Sequence, residues 1–301
     1  MMTKWDEDYI KAAEKVLNEG TKTENRTGTD TFKLPYYYFE FDLQKEFPIL
    51  TTKQVYYRNL ISEIQWIYQV QRNDIKWLHE RNNHIWDEWM IDENGYWEAD
   101  QMYLDEHNQL QKGKVKKYFG KEYAGTIGTA YGYIIAYYDL MNKLLNSIQY
   151  NPSDRRRVIN LYQEQFLQTG VLEPCVFCTE WDITGDYLNL VVHQRSCDMP
   201  LGLPFNVTQY AILLSMVAHT TGYKPGKILW TIKDLHIYEN QIDGMKEQIS
   251  RFYQNGSYDS PVLWLNPEVK NFYDFDTSKK QEDIKIKQYK HMGPIKFPVA
   301  K

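Results

Sequence analysis

The residue with the clearest chemical potential in this sequence is Cys175, because a thiolate is a strong nucleophile toward carbon. A neighbouring cation lowers the pKa of a thiol and so raises the thiolate fraction. Arg195 follows the strand-like run 187–192, and Cys175 directly precedes the strand-like run 176–183. If these two strands pair, the guanidinium and the thiol come close together. The sequence therefore predicts a nucleophile at Cys175 that is activated by Arg195.

Cys175 and Cys178 are spaced like the cysteine pair of zinc deaminases, which also need a His-x-Glu motif upstream. None of the seven histidines begins such a motif. A redox pair would open a helix, whereas the apolar run after Cys175 is typical of a strand. We therefore expect no metal, and we interpret Cys178 and Cys197 as buried structural thiols. A zinc deaminase stays an alternative that a metal assay would test.

Arginines at two places in the sequence could hold a phosphate group. Arg155 and Arg156 belong to a basic cluster at a strand start, and Arg26 lies in a turn-forming loop. Guanidinium groups bind phosphate through paired hydrogen bonds, although a solvated run of charges is the ordinary interpretation of such a cluster. The net charge of −5 argues against a polyanionic partner such as DNA. The sequence favours one small phosphorylated molecule.

The elements that must position these residues are helices and strands in irregular order. Hydrophobic periodicity predicts helices at 9–17, 55–68, 74–81, 133–145, 206–219 and 237–249. Alternating or β-branched runs predict strands at 31–41, 157–162, 176–183, 187–192 and 228–232. The absence of regular βαβ alternation favours an α+β fold. We expect one domain over residues 1–301, with a small inserted subdomain at about 91–125, where charges are many and no strong period appears.

The composition is that of a soluble globular protein. Of the 301 residues, 43% are hydrophobic and 25% are charged, and no window is apolar enough to span a membrane. The N-terminus lacks the apolar core of a secretion signal, and together with only three cysteines in 301 residues this favours a reducing cytoplasm. The odd number of cysteines means that at least one thiol is free. The aromatic content is high, with 25 Tyr and 9 Trp, which could line a ligand site or fill the core.

Taken together, the motifs resemble those of thymidylate synthases over nearly the whole chain apart from 91–125. The most specific run, 194–206, reads Gln-Arg-Ser-Cys-Asp-Met-Pro-Leu-Gly-Leu-Pro-Phe-Asn and is similar to the family signature Arg-Ser-x-Asp-x-x-Leu-Gly-x-Pro-Phe-Asn. The other matches, in family order, are Arg26-Thr27-Gly28-Thr29, Leu50-Thr51-Thr52-Lys53, Glu63 before Trp66, Ile85-Trp86-Asp87-Glu88-Trp89, Tyr131-Gly132, Pro174-Cys175, Asp234-x-His236-x-Tyr238 and Pro298-Val299-Ala300. The resemblance implies an α+β fold in which a mixed twisted sheet packs with helices and one sheet face forms a dimer interface.

The resemblance implies reductive methylation of dUMP to dTMP, with 5,10-methylenetetrahydrofolate giving both the carbon and the hydride. Cys175 would add to C6 of uracil and so make C5 nucleophilic. Glu63 would organise the later removal of the C5 proton through water, with Tyr131 near the same step. The rest of the implied catalytic set is Arg195, Asp198 and Asn206.

The implied substrate-binding residues are Arg26, Arg155, Arg156, Arg195, Ser196, Asp198, Asn206, His236 and Tyr238. The arginines and the serine would hold the phosphate, with Arg155 and Arg156 reaching in from the second subunit of a homodimer. His236 and Tyr238 would bind the ribose hydroxyl, and the amide of Asn206 would read the pyrimidine edge. The implied folate-binding residues are Trp86, Trp89, Asp198, Leu201, Gly202, Phe205 and Ala300.

Two positions depart from the family pattern. Val176 follows the nucleophile, where most members have histidine, and Lys301 ends the chain, where a branched apolar residue is usual. Two further alternatives stay open: a deoxyuridylate hydroxymethylase, in which water quenches the methylene, and a nucleotide-binding protein without turnover. Trp86 and the tail would shield the methylene from water and so favour methylation. The presence of all the reacting side chains favours turnover.

Overall fold

The computed structural model describes residues 3–278 and 282–299 and contains both helices and strands. The helices are α1 (Lys4–Glu19), α2 (Tyr57–Ile64), α3 (Ile75–His79), α4 (Gly132–Tyr137), α5 (Leu140–Tyr150), α6 (Glu164–Leu167), α7 (Gly202–Thr221) and α8 (Ile242–Asn255). The strands are β1 (Thr21–Thr23), β2 (Thr31–Asp42), β3 (Tyr96–Leu104), β4 (Leu110–Tyr118), β5 (Val158–Asn160), β6 (Val176–Thr184), β7 (Tyr187–Gln194), β8 (Cys197–Asp198), β9 (Lys224–Tyr238), β10 (Val262–Leu265) and β11 (Ile284–Lys287). A π-helical turn, Gln65–Gln69, continues α2.

A mixed sheet forms the centre of the fold. Its strands run in the order β1-β2-β9-β7-β6-β5, and the short β8 pairs with the end of β9. Strand β9 is antiparallel to β2 and parallel to β7, whereas β7 is antiparallel to β6. The predicted α+β class, with a mixed sheet packed with helices, is therefore confirmed.

Strand β2 shows how the sheet comes to be covered on one face. Its side chains Phe39 and Phe41 are buried against Trp5 of α1, with ring centroids 5.2 and 5.0 Å apart. Tyr36 and Tyr38 of the same strand are 76% and 62% exposed. Successive side chains on a strand point to opposite faces. The aromatic alternation of this run therefore buries one face and leaves the other open.

Helix α7 is the most deeply buried helix of the site region, since every residue from 207 to 218 is buried. It packs against α2, α5 and the strands β7 and β9, which explains why its sequence is apolar on all sides. It begins at Gly202 rather than at Asn206 as predicted, so that the half-buried Asn206 lies in its second turn. No helix within residues 3–278 and 282–299 is both long and apolar enough to cross a membrane.

Two of the helix predictions were wrong in their bounds. The helix predicted at 237–249 begins only at Ile242, because Ile237 and Tyr238 pair with strand β2 and Ile237 is fully buried. The helix predicted at 133–145 is interrupted at Asp139, which has a φ of 53°. Apolar spacing alone does not distinguish the end of a buried strand from the start of a helix.

Strands β3 and β4 form a two-stranded hairpin inside the segment 91–125. The hairpin leaves the main sheet through a narrow neck, where Ile91 donates to the carbonyl of Thr126 and Gly125 donates to the carbonyl of Ile91, both at 2.9 Å. The side chains of both strands are largely exposed or half-buried. A strand pair without a buried face has no hydrophobic period, which is why the sequence did not predict these strands.

A buried carboxylate in α1 fixes the loop that leads to Lys53. Asp6 accepts hydrogen bonds from the backbone N–H groups of Thr51 and Thr52, at 3.0 and 3.1 Å, and from both threonine hydroxyls, at 2.7 and 2.8 Å. All four bonds converge on one side chain that is inaccessible to solvent. The first helix therefore orients the segment 51–53 toward the site.

Candidate active site

Cys175 and Arg195 lie side by side, as the sequence predicted from the pairing of their strands. Strands β6 and β7 pair through Val176 and Gln194, and the backbone N–H of Arg195 donates to the carbonyl of Cys175 at 2.9 Å. The guanidinium Nη2 lies 3.9 Å from Sγ of Cys175. A guanidinium at this distance stabilises a thiolate electrostatically.

The same guanidinium also holds the turn that carries the thiol. Arg195 donates from Nε to the carbonyl of Pro174 at 3.0 Å and from Nη2 to the carbonyl of Glu173 at 2.6 Å. Burial raises the pKa of the Cys175 thiol above its ordinary value, and the charges of Arg195 and Arg26 oppose that rise. The expected lowering by Arg195 is therefore present but is outweighed by burial in the protein alone.

Tyr131 contacts the backbone of the same cysteine. Its hydroxyl accepts a hydrogen bond from the backbone N–H of Cys175 at 3.1 Å. Burial raises the pKa of Tyr131, so that the phenol stays protonated and can also donate. Tyr131 has a φ of 49°, and a Cβ on the next residue, Gly132, would collide with the backbone carbonyl of Arg72. The Tyr-Gly pair therefore lets the chain turn sharply into α4 beside the thiol.

Glu63, on α2, presents its carboxylate to the same region. Oε1 accepts from the indole N–H of Trp86 at 2.7 Å, and Oε2 accepts from the amide of Gln209. Burial raises the pKa of Glu63 to about 7, against the opposing effect of these two hydrogen bonds. A carboxyl group with this pKa can both take up and release a proton near neutral pH.

Asn206 is linked to Glu63 through a chain of buried amides. Its Oδ1 accepts from Gln194 at 3.1 Å, and its Nδ2 donates to Oε1 of Gln209 at 3.2 Å. Gln194 in turn accepts from the indole of Trp230 at 3.0 Å. Because every amide in this chain has partners on both sides, the orientation of Asn206 is fixed before any ligand binds.

The sequence did not assign roles to Gln194 and Gln209, although both belong to this network. The signal for Gln209 was its position three residues after Asn206, which places both side chains on one face of α7. The signal for Gln194 was its place at the end of β7, directly before Arg195.

Asp198 lies at the base of the site, where strand β8 ends. Its Oδ1 accepts from the backbone N–H of Leu201 at 3.0 Å, and its Oδ2 accepts from Gln241 at 3.1 Å. Burial raises the pKa of Asp198, and the hydrogen bonds and the charges of His236 and Lys53 act against that rise. Burial lowers the pKa of Lys53 to about 7. Lys53 belongs to the motif Leu50-Thr51-Thr52-Lys53, but the sequence alone predicted no role for it.

The residues predicted to bind ribose and phosphate lie on β9 and in the turn before β8. Ser196 donates from its hydroxyl to Oδ2 of Asp234 at 3.2 Å. The rings of His236 and Tyr238 are 5.1 Å apart, and burial raises the pKa of Tyr238 to about 12. Arg26 is exposed, and its positive charge acts against the rise in the pKa of Cys175.

Arg155 and Arg156 are not brought to Cys175 within one chain. Both are exposed, the side chain of Arg156 is 87% accessible, and its Nε lies 3.0 Å from Asp154. Arg157, the next residue of the cluster, is instead buried, and it donates to the hydroxyl of Ser147 and to the carbonyl of Asn151 at 3.0 and 2.7 Å. The cluster therefore contains one structural arginine and two that face outward.

Aromatic side chains form one wall of the site. The ring of Trp86 packs edge-on against Trp89 and Tyr131, at 5.4 Å from each, and against Trp66 at 5.8 Å. The other predicted folate residues, Leu201, Gly202 and Phe205, lie at the start of α7 and are half-buried. Ala300 lies outside the described residues.

The hairpin adds a rim that the sequence did not assign to the site. The backbone N–H of Met102 donates to the carbonyl of Arg26 at 2.7 Å. A cavity of about 200 Å³ lies at this junction, and its lining includes Arg26, Trp89, Trp97 and Lys114. The inserted segment therefore contacts the loop of Arg26 and lies against the aromatic wall.

One group in the described part of the chain has the geometry to hold a metal ion. It consists of His79, His84 and Asp87, all exposed on the surface. Cys175 and Cys178 are free thiols and do not belong to this group. The cysteine pair therefore has none of the additional ligands that a zinc deaminase requires, within the residues described.

A nucleophilic thiol beside a guanidinium could support covalent catalysis. A family model described as thymidylate synthase matches residues 7–301. A thymidylate synthase of Clostridium beijerinckii is 42% identical over 299 residues, which cover 99% of this chain and 100% of that protein. A thymidylate synthase of Bacillus phage phi3T is 34% identical over 318 residues, with 99% and 100% covered.

A solved structure, the thermostable thymidylate synthase A from Bacillus subtilis, superimposes with a TM-score of 0.81. It is 32% identical in sequence, and 99% of each chain is covered. The chain belongs to the thymidylate synthase family. The resemblance that the motifs suggested is thereby confirmed.

Proposed function

We propose that this protein converts dUMP to dTMP by reductive methylation, with 5,10-methylenetetrahydrofolate as the donor of carbon and hydride. Membership of the family supports this methyltransferase reaction and does not favour a hydroxymethylase. One observation carries the proposal at the level of the site. The guanidinium of Arg195 lies 3.9 Å from the thiol of Cys175, the hydroxyl of Tyr131 binds the backbone N–H of the same residue, and Glu63 presents a carboxyl group with a pKa of about 7 in the same site.

The nucleophile in this proposal is Cys175. Its sulfur adds to C6 of uracil, and the electron pair displaced from the C5–C6 bond makes C5 nucleophilic. Arg195 stabilises the thiolate form from 3.9 Å away.

Glu63 is proposed to manage the proton that leaves C5. Its pKa of about 7 lets the carboxylate accept a proton through a water molecule and pass it on. Tyr131 is proposed to assist this proton transfer from its position beside Cys175. Its hydroxyl can donate a hydrogen bond because burial keeps the phenol protonated. Asn206, held by two glutamines, would present its amide to the pyrimidine edge.

The surroundings of Asp198 fit a folate in their chemistry. A buried carboxylate can accept hydrogen bonds from a pterin, and the walls formed by Trp86, Trp89, Leu201 and Phe205 offer flat apolar surfaces. When bound, the folate supplies the one-carbon unit and the hydride. The chain's own contribution is to orient this molecule against the pyrimidine and to exclude water from the pair.

We infer that Arg26, Arg195 and Ser196 hold the substrate phosphate and that His236 and Tyr238 hold the ribose hydroxyl. The exposed position of Arg26 and the neighbouring positions of the other four residues support this assignment. Guanidinium groups are well suited to a phosphate dianion because they can donate two parallel hydrogen bonds.

We infer a homodimer in which Arg155 and Arg156 complete the phosphate site of the second subunit. Two observations support it: both arginines face outward from their own chain, and Tyr36 and Tyr38 leave one sheet face apolar and open. A cavity of about 600 Å³ on that region of the sheet is partly lined by Arg195 itself. A partner on this face would therefore reach the site directly.

We further infer a single domain with an inserted subdomain at 91–125 and a cytoplasmic location. The narrow neck beside Ile91 supports the first inference, because few backbone bonds join the hairpin to the rest. Three free cysteines support the second, because thiols persist in reducing compartments.

Incubation of the protein with dUMP and methylenetetrahydrofolate tests the reaction. We expect dTMP and dihydrofolate in equal amounts, because one folate molecule gives both the carbon and the hydride. Formation of 5-hydroxymethyl-dUMP without dihydrofolate would contradict the proposal and point to a hydroxymethylase.

The variant Cys175→Ala tests the nucleophile. It should form no dTMP but still bind dUMP, because the phosphate and ribose contacts remain. The matched control is Cys178→Ala, which removes a half-buried thiol from β6, the strand that directly follows Cys175, and should retain activity. Full activity in the Cys175 variant would remove this residue from the mechanism.

A further inference from the structure

Gln241 occupies an unusual position between the site and the end of the chain. Its side chain is completely inaccessible to solvent. Its Nε2 donates both to Oδ2 of Asp198, at 3.1 Å, and to the carbonyl of Pro298, at 3.0 Å. Its Oε1 accepts from the backbone N–H of Tyr238 at 3.1 Å. One primary amide thus joins strand β9, the buried carboxylate and the tail.

The two acceptors of Gln241 are the carbonyl of Pro298 and the carboxylate of Asp198, and they differ in how easily water can replace Gln241. Pro298 is an exposed residue of the tail, and its carbonyl could accept a hydrogen bond from water if the tail moved away. With the tail docked, the side-chain N–H groups of Gln241 are inaccessible to solvent and depend on these two protein acceptors. Release of the tail therefore removes one of the two acceptors that hold the side-chain amide of Gln241. The amide is then free to rotate, and its hydrogen bond to Asp198 is no longer fixed in direction.

The tail is seated by a second set of contacts beside Gln241. The ring of Phe297 is buried and packs over Gly244 of α8, where a Cβ would lie 2.8 Å from the ring. Nζ of Lys53 lies 4.7 Å from the centre of the same ring and donates to the carbonyl of Pro200. Lys53 also interacts electrostatically with Asp198. Tail, lysine, glutamine and carboxylate thus form one connected cluster.

We propose that Gln241 is a positioning residue that couples docking of the C-terminal tail to the orientation of Asp198. With the tail docked, the Pro298 carbonyl and the Tyr238 N–H hold the amide plane, and the amide holds one carboxylate oxygen. The other oxygen is held by the N–H of Leu201. The inference rests on the proposed function, in which Asp198 holds the pterin.

This coupling predicts a reciprocal effect. Because a docked tail fixes the carboxylate for the pterin, a bound folate must stabilise the docked tail. In the proposed function dUMP is held mainly by its phosphate and ribose contacts, away from Gln241 and the tail, so its effect on the tail should be smaller than that of folate. The ring of Phe297 and its contact with Lys53 anchor the tail, whereas Gln241 transmits its position.

The test uses the variants Gln241→Ala and Gln241→Glu in the full-length protein, compared with the wild type. The glutamate variant keeps the side-chain volume but loses both donated hydrogen bonds and places a carboxylate near Asp198. We expect KM for methylenetetrahydrofolate to rise about 10-fold or more in both variants, the loss typical of an unsatisfied buried partner. KM for dUMP should change less than about 2-fold.

A second measurement does not depend on activity. Hydrogen exchange of the segment 295–299, followed by mass spectrometry, reports whether the tail is docked. We expect added folate to slow this exchange in the wild type and to have little effect in the Gln241 variants. A purely structural role would instead change exchange across α8 as a whole.

The matched control is Gln248→Ala, on helix α8, which begins directly after Gln241. Gln248 is also fully buried, and it donates to the hydroxyl of Thr52 at 2.9 Å without touching Asp198 or the tail. It should reduce the melting temperature without changing KM for folate or the exchange of 295–299. An unchanged folate KM and unchanged tail exchange in the Gln241 variants would overturn the inference.

Failure of the proposed function would look different. A wild-type protein that forms no dTMP would refute the function itself, whatever the Gln241 variants do. The variant Gly244→Ala separates the two parts of the coupling, because its Cβ displaces Phe297 without touching Asp198. We expect it to raise folate KM as well, and the double variant with Gln241→Ala to be no worse than Gln241→Ala alone. Full additivity of the two effects would contradict the coupling.

Discussion

The hydrogen bond from Trp86 to Glu63 makes the acid side of the pH profile a direct test of the site. The variant Trp86→Phe removes the indole N–H, which lies 2.7 Å from Oε1 of Glu63, but keeps an aromatic ring in the wall. A hydrogen bond to a carboxylate stabilises its ionised form. Loss of this bond must therefore raise the pKa of Glu63 above about 7.

The magnitude follows from the strength of a hydrogen bond to a charged group. Such a bond contributes about 1.5–3 kcal/mol, and a pKa change of one unit corresponds to about 1.4 kcal/mol. The expected shift is therefore about 1 to 2 pKa units upward. Activity requires ionised Glu63 in the proposed mechanism, so it should fall on the acid side at a pH about 1 to 2 units higher than in the wild type.

The assay is the pH dependence of kcat at saturating concentrations of both substrates. The variant Glu63→Gln should lose this acid limb together with most of the activity, which assigns the limb to Glu63. The matched control is Trp97→Phe, on the hairpin, which removes an indole N–H that donates to the carbonyl of Glu88 at 2.9 Å. Its acid limb should stay in place. An acid limb that stays within about 0.3 units or moves downward in Trp86→Phe would refute the reasoning.

Three further expectations concern stability and binding. Ionisation of Glu63 costs more free energy in the folded state than in the unfolded state, so the contribution of Glu63 to stability is full below pH 4.5 and is lost as the pH rises through about 7. The variant Glu63→Gln should therefore be more stable than the wild type at pH 8, by about 1–2 kcal/mol after allowance for partial exposure. At pH 4 the two proteins should be equally stable, and urea unfolding measures both differences. Gly132→Ala should lose about 2–4 kcal/mol in the same measurement, because its Cβ collides with the carbonyl of Arg72, and a wild-type midpoint would show that the turn relaxes freely. Arg156→Ala should weaken dUMP binding at an unchanged melting temperature, whereas Arg157→Ala should lower the melting temperature, and titration calorimetry with thermal melts would expose the reverse pattern.

The sequence was a reliable guide where strands alternate and where a motif lies at a strand end. The pairing of β6 with β7 follows from two runs separated by a tight turn, and it brings Arg195 to Cys175 as expected. The covered face of β2 was likewise visible in its alternating aromatics. Local chemistry and long-range structure agree at these places.

Other features depend on contacts between distant segments, which no local pattern reports. The roles of Gln209 and Gln241 follow only from the partners that tertiary folding gives them, since a glutamine in a helix is otherwise an ordinary surface residue. The strands β10 and β11 pair with each other although a long segment of chain separates them. Strand β8 is too short to show a pattern, because it contains only Cys197 and Asp198. The helix predicted at 237–249 failed for the same reason, because pairing with β2 overrides helical spacing at Ile237.

The hairpin of β3 and β4 has a practical consequence for watching this enzyme at work. Its neck at Ile91 and Gly125 is narrow, and its tip at 105–109 is exposed, yet Met102 in its middle is bonded to the carbonyl of Arg26. A fluorophore attached at the tip would sit outside the catalytic chamber but would be mechanically joined to the loop that carries Arg26. If Arg26 binds the substrate phosphate as proposed, the fluorescence of such a label should report directly whether a nucleotide is bound.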